Sequence, residues 1–362
     1  MNTTLHFYFS NNRIPISDHA NHLGIIQASN RKNTKSVEQS CERGRNAFFA
    51  INGIGARQRG LNPVTGTDLY RKIVLPSALY GSELWNNLDN KNIQQINKFQ
   101  HMVCRSIQGF PALTRSDMSE SLLGLTKLST EVDIRKLTFL EKLISLPNNS
   151  QAKLVFISRL FQNLHSNQSD GFIHDVRKLL AKYGLSDYLV NYAKFAVFPS
   201  KYIWKRTVNA AVRNNAVTER NQRMLADEQF SRFRQIHMEN NPAFPYSISK
   251  STTDIIMAKH YIKLWIRIPF KDSFLCTYCN IVTNDTPVHI VAICRRFESL
   301  RNSFLNAVRE RHGTELYEEL SQTTPELLFL KIIGAPTTTI TTEMIAFRKL
   351  CIEYIYKCIH VL

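Results

Sequence analysis

Apolar residues recur along most of this chain at intervals of three and four, the spacing that gathers one face of an α-helix. The clearest case is 90–108, where Ile93, Ile96, Phe99, Val103 and Ile107 form a stripe and Lys91, Lys98 and Arg105 fall off it. Gly109-Phe110-Pro111 then stops the helix. The same period predicts a short helix at 116–123 and a longer one at 130–146 carrying Ile134, Leu137, Leu140, Leu143 and Ile144. Between 151 and 200 it predicts one helix faced by Leu154, Ile157, Leu160, Phe161 and Leu164, and another faced by Val176, Leu179, Leu180 and Tyr183. Further helices are expected at 33–59, 255–266, 297–308 and 342–359. Over 61–85, Leu69, Ile73 and Val74 are helix-spaced up to Pro76, which lacks a backbone donor and kinks or breaks the helix. Leu79, Tyr80, Leu84 and Trp85 continue the apolar face beyond it. Only LHFYF (5–9) and HLGII (22–26) read as strands. A two-stranded piece alone is marginal in water, so these strands either pack on the helices behind them or form the edge of a larger sheet. The pattern predicts a mainly α protein with a short β piece near its start.

One stretch breaks the helical pattern and carries chemistry. CTYCNIVTNDTPVHIVAIC, 276–294, has the spacing Cys-x2-Cys-x9-His-x4-Cys. Cys276 and Cys279 stand at the spacing of a turn that presents two sulfurs to one metal. His289 and Cys294 lie on a short segment that can bring up the other pair. Three thiolates and one imidazole make a closed tetrahedral Cys₃His site, the usual structural zinc set, with no open position for water. The expected cofactor is therefore a structural Zn²⁺. Asn284, Asp285 and Pro287 fill the gap of nine with turn formers. Cys351 and Cys358 are small and apolar and read as core residues, and His165 and His174 read as loop and surface histidines.

Composition changes the picture in one direction. The chain has 362 residues, 43% hydrophobic and 21% charged, enough to bury a sizeable core in two or three units. Its formal net charge of +17 argues for a polyanionic partner, nucleic acid first and an anionic membrane surface second. No apolar run of about 18 residues occurs, which argues against a spanning helix. The first residues have neither the basic start nor the apolar core of a signal peptide. Seven cysteines, three of them in the metal motif, suit a reducing intracellular compartment, nuclear or cytoplasmic, better than a disulfide framework.

The positive charge is spread along the helical segments. Arg31, Lys32, Lys35, Arg43, Arg45, Arg57 and Arg59 oppose only Glu38 and Glu42. Lys201, Lys205, Arg206, Arg213, Arg220, Arg223, Arg232 and Arg234 oppose only Glu219, Asp227 and Glu228. Arg206, Arg213 and Arg220 recur every seven residues, so a continuous helix places them on one stripe, with Trp204 and Val208 near the opposite side. Such a row either tracks a phosphate backbone or is a solvated face. Arg295, Arg296 and Arg301 give the zinc unit a basic edge. The candidate nucleic-acid contacts are Arg43, Arg45, Lys201, Lys205, Arg206, Arg213, Arg220, Arg223, Arg295 and Arg296.

GLNPVTGTDLYRKIVLPSALYGSELW, 60–85, resembles the region just after the catalytic palm in reverse transcriptases of non-LTR (LINE-type) retrotransposons. Phe99-Gln100, Arg105, Ile107-Gln108-Gly109, Pro111 and Leu123-Gly124 continue the likeness. His22-Leu23-Gly24-Ile25 is similar to the aromatic-Leu-Gly segment near the end of the palm, with His where Tyr is common. The Cys/Cys/His/Cys motif is similar to the zinc segment near the family's C-terminus. The resemblance covers about 20–150 and 274–301 and is faint between. It implies a β remnant of the palm at 1–30, a helical thumb-like domain at 31–147, a basic helical region at 148–270 and a zinc-binding C-terminal domain at 271–362. It further implies a thumb that grips template–primer duplex and a zinc unit that engages template RNA or target DNA.

The departure from the family bears on activity. Two-metal polymerisation needs carboxylates that hold cations about 3.5–4 Å apart, and the family supplies them from an Asp-Asp turn and an earlier aspartate. No Asp-Asp pair occurs in this chain, and the palm strands that would carry it would lie before Met1. The endonuclease domain has no counterpart either. The expectation is a C-terminal remnant that is not an enzyme and that binds RNA, DNA or an RNA–DNA hybrid rather than a membrane. A helical scaffold with a purely structural zinc, and an accessory chain to a separate palm subunit, are the alternatives.

Overall fold

The computed structural model describes residues 8–10, 12–13, 17–30, 32–57, 60–165, 170–237, 241–265, 274–276, 279–283, 286–334 and 341–360. Of the residues singled out above, Leu5 to Phe7, Arg31, Arg59, Ile266, Asn284 and Asp285 lie outside these, as do the side chains of His165 and Arg232. Helices dominate. Among the described residues, strands form three two-stranded antiparallel hairpins: Tyr8–Phe9 with Asn12–Arg13, His19–His22 with Ile25–Ala28, and Phe274–Leu275 with Val282–Thr283. This is the mainly α fold that the periodicity predicts, with β structure near the start and at the metal motif. No described helix is long and apolar enough to cross a membrane.

Contacts gather the chain into two units, each drawn from three separate stretches. One comprises Met1–Ala47, Val74–Phe99 and Leu128–Val212, and the other Phe48–Ile73, Gln100–Lys127 and Arg213–Leu362.

In the first unit, helix Leu128–Ile144 presents Ile134, Leu137 and Leu140 to Phe156, Leu160, Val176, Leu180 and Trp204. The Trp204 indole, fully buried, donates to the carbonyl of Leu137 at 2.8 Å. Gly44 sits inside a helix where a Cβ would come within 2.6 Å of the Phe99 ring, so the close approach requires glycine there. Lys136 is buried and reaches Asp175 Oδ2 and Asn86 Oδ1, each at 3.0 Å, and the carbonyl of Trp85.

Helix Gln151–His165 lies differently from its expected orientation. Leu160 is buried, but Leu154, Phe161 and Leu164 are 50%, 48% and 41% exposed. Lys153, Phe156, Leu160 and Asn163 face inward instead. The two polar groups are tolerated there because they are bonded. Lys153 Nζ donates to the carbonyl of Ile144, and Asn163 accepts from Arg177 at 2.8 Å.

The segment before Pro76 also departs from a plain helix. Helix Pro63–Leu69 passes into a wide π turn, Tyr70–Val74, before Leu75–Ala78. A π turn adds a residue and so rotates the apolar stripe. Val74, Leu79 and Trp85 are buried as expected, whereas Ile73, Tyr80 and Leu84 are 44%, 49% and 43% exposed.

In the second unit, the Gln100 side chain lies in the core. It accepts from the Tyr70 hydroxyl at 3.1 Å and donates to Thr126 O at 2.7 Å and Glu120 Oε1 at 3.2 Å. Lys259, 2% exposed, donates to the carbonyls of Arg57 and Leu61. The last helix, Thr342–His360, buries Cys351 and Cys358, the core role expected of them. Its Arg348 donates to the carbonyls of Lys331 and Ile332 at the end of helix Pro325–Ile333, where unpaired helical carbonyls favour a cation.

Candidate metal centre and basic surface

Two local devices build the metal centre. The first is a tight loop after Leu275. Cys276 N–H donates to Ile281 O at 3.0 Å, and Asn280 N–H donates to Cys276 O at 2.8 Å. Asn280 closes the loop in the left-handed region, with φ 56°. Asparagine accepts that conformation better than most residues. The loop turns Cys276 and Cys279 toward one point.

The second device is a π turn. On an α-helix, at about 100° per residue, residues five apart point in different directions. Here His289–Ile293 forms a wider turn, and Cys294 N–H donates back to His289 O at 2.7 Å. That i→i+5 bond brings the x4-spaced pair to the same side. His289 and Cys294 are fully buried, Cys276 is 4% exposed and Cys279 is half-buried.

One ligand atom from each of Cys276, Cys279, His289 and Cys294 lies within 4.8 Å of the others. Cys276 Sγ is 3.9 Å from Cys294 Sγ, and Cys279 Sγ is 3.2 Å from His289 Nε2. A tetrahedron with legs of about 2.3 Å has edges of about 3.8 Å. The four atoms therefore have the size of a shell around one metal ion, and the group can hold one. His289 Nδ1 is buried and finds no hydrogen-bond partner among the described residues.

Burial shifts the titration of two of the free ligands, Cys294 and His289. It pushes the Cys294 thiol up to about 11, the Arg296 backbone N–H working against the rise and the Cys276 thiol adding to it. Burial, and then Arg301, lowers the His289 imidazole. Without metal the Cys294 sulfur therefore holds its proton at neutral pH, and metal uptake must release it.

The predicted basic residues fall into three groups. Lys201, Lys205 and Arg206 are exposed at the start of helix Lys201–Ala226, Arg45 is exposed, and Arg295 and Arg296 are exposed directly after the last metal ligand. Arg43 and Arg213 are half-buried. Arg43 is bonded to Gly24 O at 3.3 Å and Ser40 Oγ at 3.2 Å and lies over the Tyr80 ring. Arg220 and Arg223 are engaged with the protein itself. Arg220 is 4% exposed, with the carboxyls of Asp117 and Glu120 near its guanidinium. Arg223 Nη2 donates to Asp117 Oδ1 at 2.9 Å. The helix is continuous over 26 residues, as the seven-residue spacing requires, but Arg206, Arg213 and Arg220 do not share one exposure. Members of the row thus meet different surroundings: Arg220 is buried, with the charges of Asp117 and Glu120 from helix Ser116–Ser121 acting on its guanidinium.

Sequence reasoning missed those acidic partners. Arg223 and Asp117 are 106 residues apart, and Arg115 pairs with Asp227 across 112 at 2.7 Å, separations that no local pattern reveals. It also left out two exposed rings among the lysines, Phe195 and Tyr202. Their signal was composition: aromatics set between Lys194, Lys201 and Lys205 with no acidic residue beside them.

The chain matches no protein-family model, no curated protein and no solved structure.

Proposed function

We propose that this chain binds nucleic acid, with a structural zinc ion holding its C-terminal part, and that it is related to the thumb and zinc segment of LINE-type reverse transcriptases. The Cys₃His cluster carries the reading: four ligand atoms within 4.8 Å, next to the exposed Arg295 and Arg296, in a chain of net charge +17. Three sulfurs and one imidazole nitrogen favour zinc over the harder cations, which prefer oxygen. Zinc in a closed shell contributes to folding and leaves no position for substrate. Its role is to keep the arginines after Cys294 in place. The partner is RNA, DNA or an RNA–DNA hybrid, held through phosphates, and with no Asp-Asp pair in the chain binding is not followed by polymerisation.

The test is binding of the purified chain to a labelled RNA–DNA hybrid across a salt series, with metal analysis and a primer-extension control. Expected are about one zinc per chain, affinity that falls steeply with salt because bound cations release counterions, and no extension. Salt-independent or absent binding would favour a helical scaffold. That second reading has its own support: Arg115 and Arg223 are paired with the protein's own carboxylates, and Arg220 is buried.

A further inference from the structure

The helix Ser186–Phe195 ends in a short connection to the start of helix Lys201–Ala226, and all of 186–212 belongs to the first unit. Around this connection large apolar side chains stand in water: Phe195 is 68% exposed, Val197 65%, Tyr202 75% and Ile203 55%. Isolated exposed apolar residues are ordinary, but several together mark a binding surface. Lys194, Lys201, Lys205 and Arg206 are exposed beside them. From Tyr188 to Thr218 the sequence has no acidic residue, and none of these four cations pairs with a carboxylate among the described residues.

The surface is held in place from beneath. Ala196 takes the left-handed conformation, φ 55°, and its N–H donates to Tyr192 O at 2.9 Å, ending the helix sharply. The chain then returns through Phe198, whose ring packs 4.8 Å from Trp204, 6.1 Å from Tyr192 and 6.5 Å from Tyr188. Trp204 is itself buried and bonded to Leu137 O. Phe198 anchors the connection inward, so Phe195 and Val197 are displayed rather than left over. Little backbone entropy remains to be lost when they are covered.

We infer that this surface is a stacking platform for unpaired bases of a single-stranded polynucleotide. The inference rests on the nucleic-acid reading above and names the form of the ligand. At about 100° per residue, Tyr202 falls between Lys205 and Arg206 on the side opposite Trp204 and Val208. The Tyr202 ring thus has a cation on either side of it, and Phe195 follows Lys194 directly in the chain. That arrangement suits a base on the ring and its phosphate on the neighbouring cation. A membrane-surface helix instead segregates its apolar and basic residues onto different faces. Thr207, Ala210 and Ala211, all small, leave a shallow recess beside Tyr202 and Arg206, with room for a flat group. Duplex would offer this surface phosphates but keep its base faces stacked.

The test uses the full chain and a labelled single strand of mixed sequence, about 16 nucleotides long, the upper end of what one such site covers. Four other arms are needed: the matching duplex, anionic lipid vesicles, the double variant Phe195→Ala/Tyr202→Ala, and the quadruple alanine variant of Lys194, Lys201, Lys205 and Arg206. The rings are mostly exposed, so the double variant keeps the fold, which circular dichroism checks. Expected is about tenfold or greater weakening of single-strand binding by the double variant, with the salt slope unchanged and duplex binding unaltered. The quadruple variant should flatten the single-strand slope by about three. An unchanged single-strand affinity in the double variant, with duplex binding intact, overturns the platform and leaves the general function standing. Binding to neither nucleic acid overturns both. Ring-dependent binding to vesicles without single-strand binding assigns the surface to a membrane and overturns the inference.

Discussion

Tyr354, on the last helix, donates its hydroxyl to the carbonyl of Val291, 2.6 Å away, inside the turn between His289 and Cys294. The bond is buried, and the Tyr354 ring stacks on Phe304 with centroids 4.8 Å apart. Arg301 Nη1 approaches the same carbonyl at 3.5 Å. The turn that carries His289 and Cys294 is thereby joined to Glu298–His312 and Thr342–His360.

Removal of metal is therefore expected to loosen more than 274–301. Cys276→Ser, or treatment of the parent with a strong chelator, should raise amide exchange in the last helix as well as around the ligands. The core built on Leu137 and Trp204, in the first unit, should stay protected. Tyr354→Phe leaves the buried Val291 carbonyl only the long 3.5 Å contact from Arg301, which costs about 1–3 kcal/mol. It should also speed chelator-driven loss of metal. Unchanged exchange in 342–360 after metal removal would show that the turn and the helix are independent.

Glu120 gives the second unit a pH dependence. Burial is the main cause that raises its carboxyl from 4.5 to about 7, and the hydrogen bond from Gln100 works against the rise. The folded chain then holds a proton that the unfolded chain has already lost. The stabilisation is full below about pH 4.5 and fades as pH rises toward about 7. Across that window its loss amounts to about 3 kcal/mol, at about 1.4 per pH unit. Glu120→Gln keeps an oxygen for Gln100 and removes the titration. Urea unfolding at about pH 5 and about pH 8 should show the variant gaining on the parent at the higher pH. An equal difference at both values would mean that Glu120 is already charged in the fold.

Lys136 and Asp175 test a buried ion pair in the first unit. Their side chains are 3% and 13% exposed, and Asp175 Oδ2 also accepts from Asn87 N–H at 2.7 Å. Lys136→Met should cost about 3–5 kcal/mol, because it strands Asp175 and leaves the Trp85 carbonyl without its donor. The double variant Lys136→Met/Asp175→Asn should recover part of the loss. Chemical denaturation of both variants measures the difference. A double variant no more stable than the single one would place the cost in the lost carbonyl bond instead.

The fold class was legible where one amphipathic period ran unbroken. Ile96, Phe99, Val103 and Ile107 are buried as their spacing requires. The metal set was legible because donor chemistry and spacing are local properties, and the π turn explains how an x4 gap still converges. Orientation was less legible. Helix Gln151–His165 has enough leucine for an apolar face, yet partners on the neighbouring helices satisfy Lys153 and Asn163 and allow the helix to bury them. Gly44 reads as a weak point in the sequence, and only the Phe99 ring above it explains the choice. The arginine row was legible only in part for a similar reason: spacing fixes which face of a helix a residue shares, not what packs against that face.

That distinction separates the arginines experimentally. Arg206 is exposed and is not paired with a carboxylate among the described residues, so Arg206→Ala should flatten the salt slope of duplex binding by about one unit, with stability unchanged. Arg220 is buried, with the charges of Asp117 and Glu120 acting on it, so Arg220→Ala should lower stability by more than about 1 kcal/mol and leave the slope of the folded protein alone. Arg223 sits in a partly exposed pair with Asp117, and Arg223→Ala should change stability by at most about 1 kcal/mol and the slope little. Salt-dependent titrations on the three single variants, each checked for folding by circular dichroism, measure the division. A folded Arg220→Ala protein that lost as much slope as Arg206→Ala would return the buried arginine to the phosphate-binding face and restore the continuous stripe.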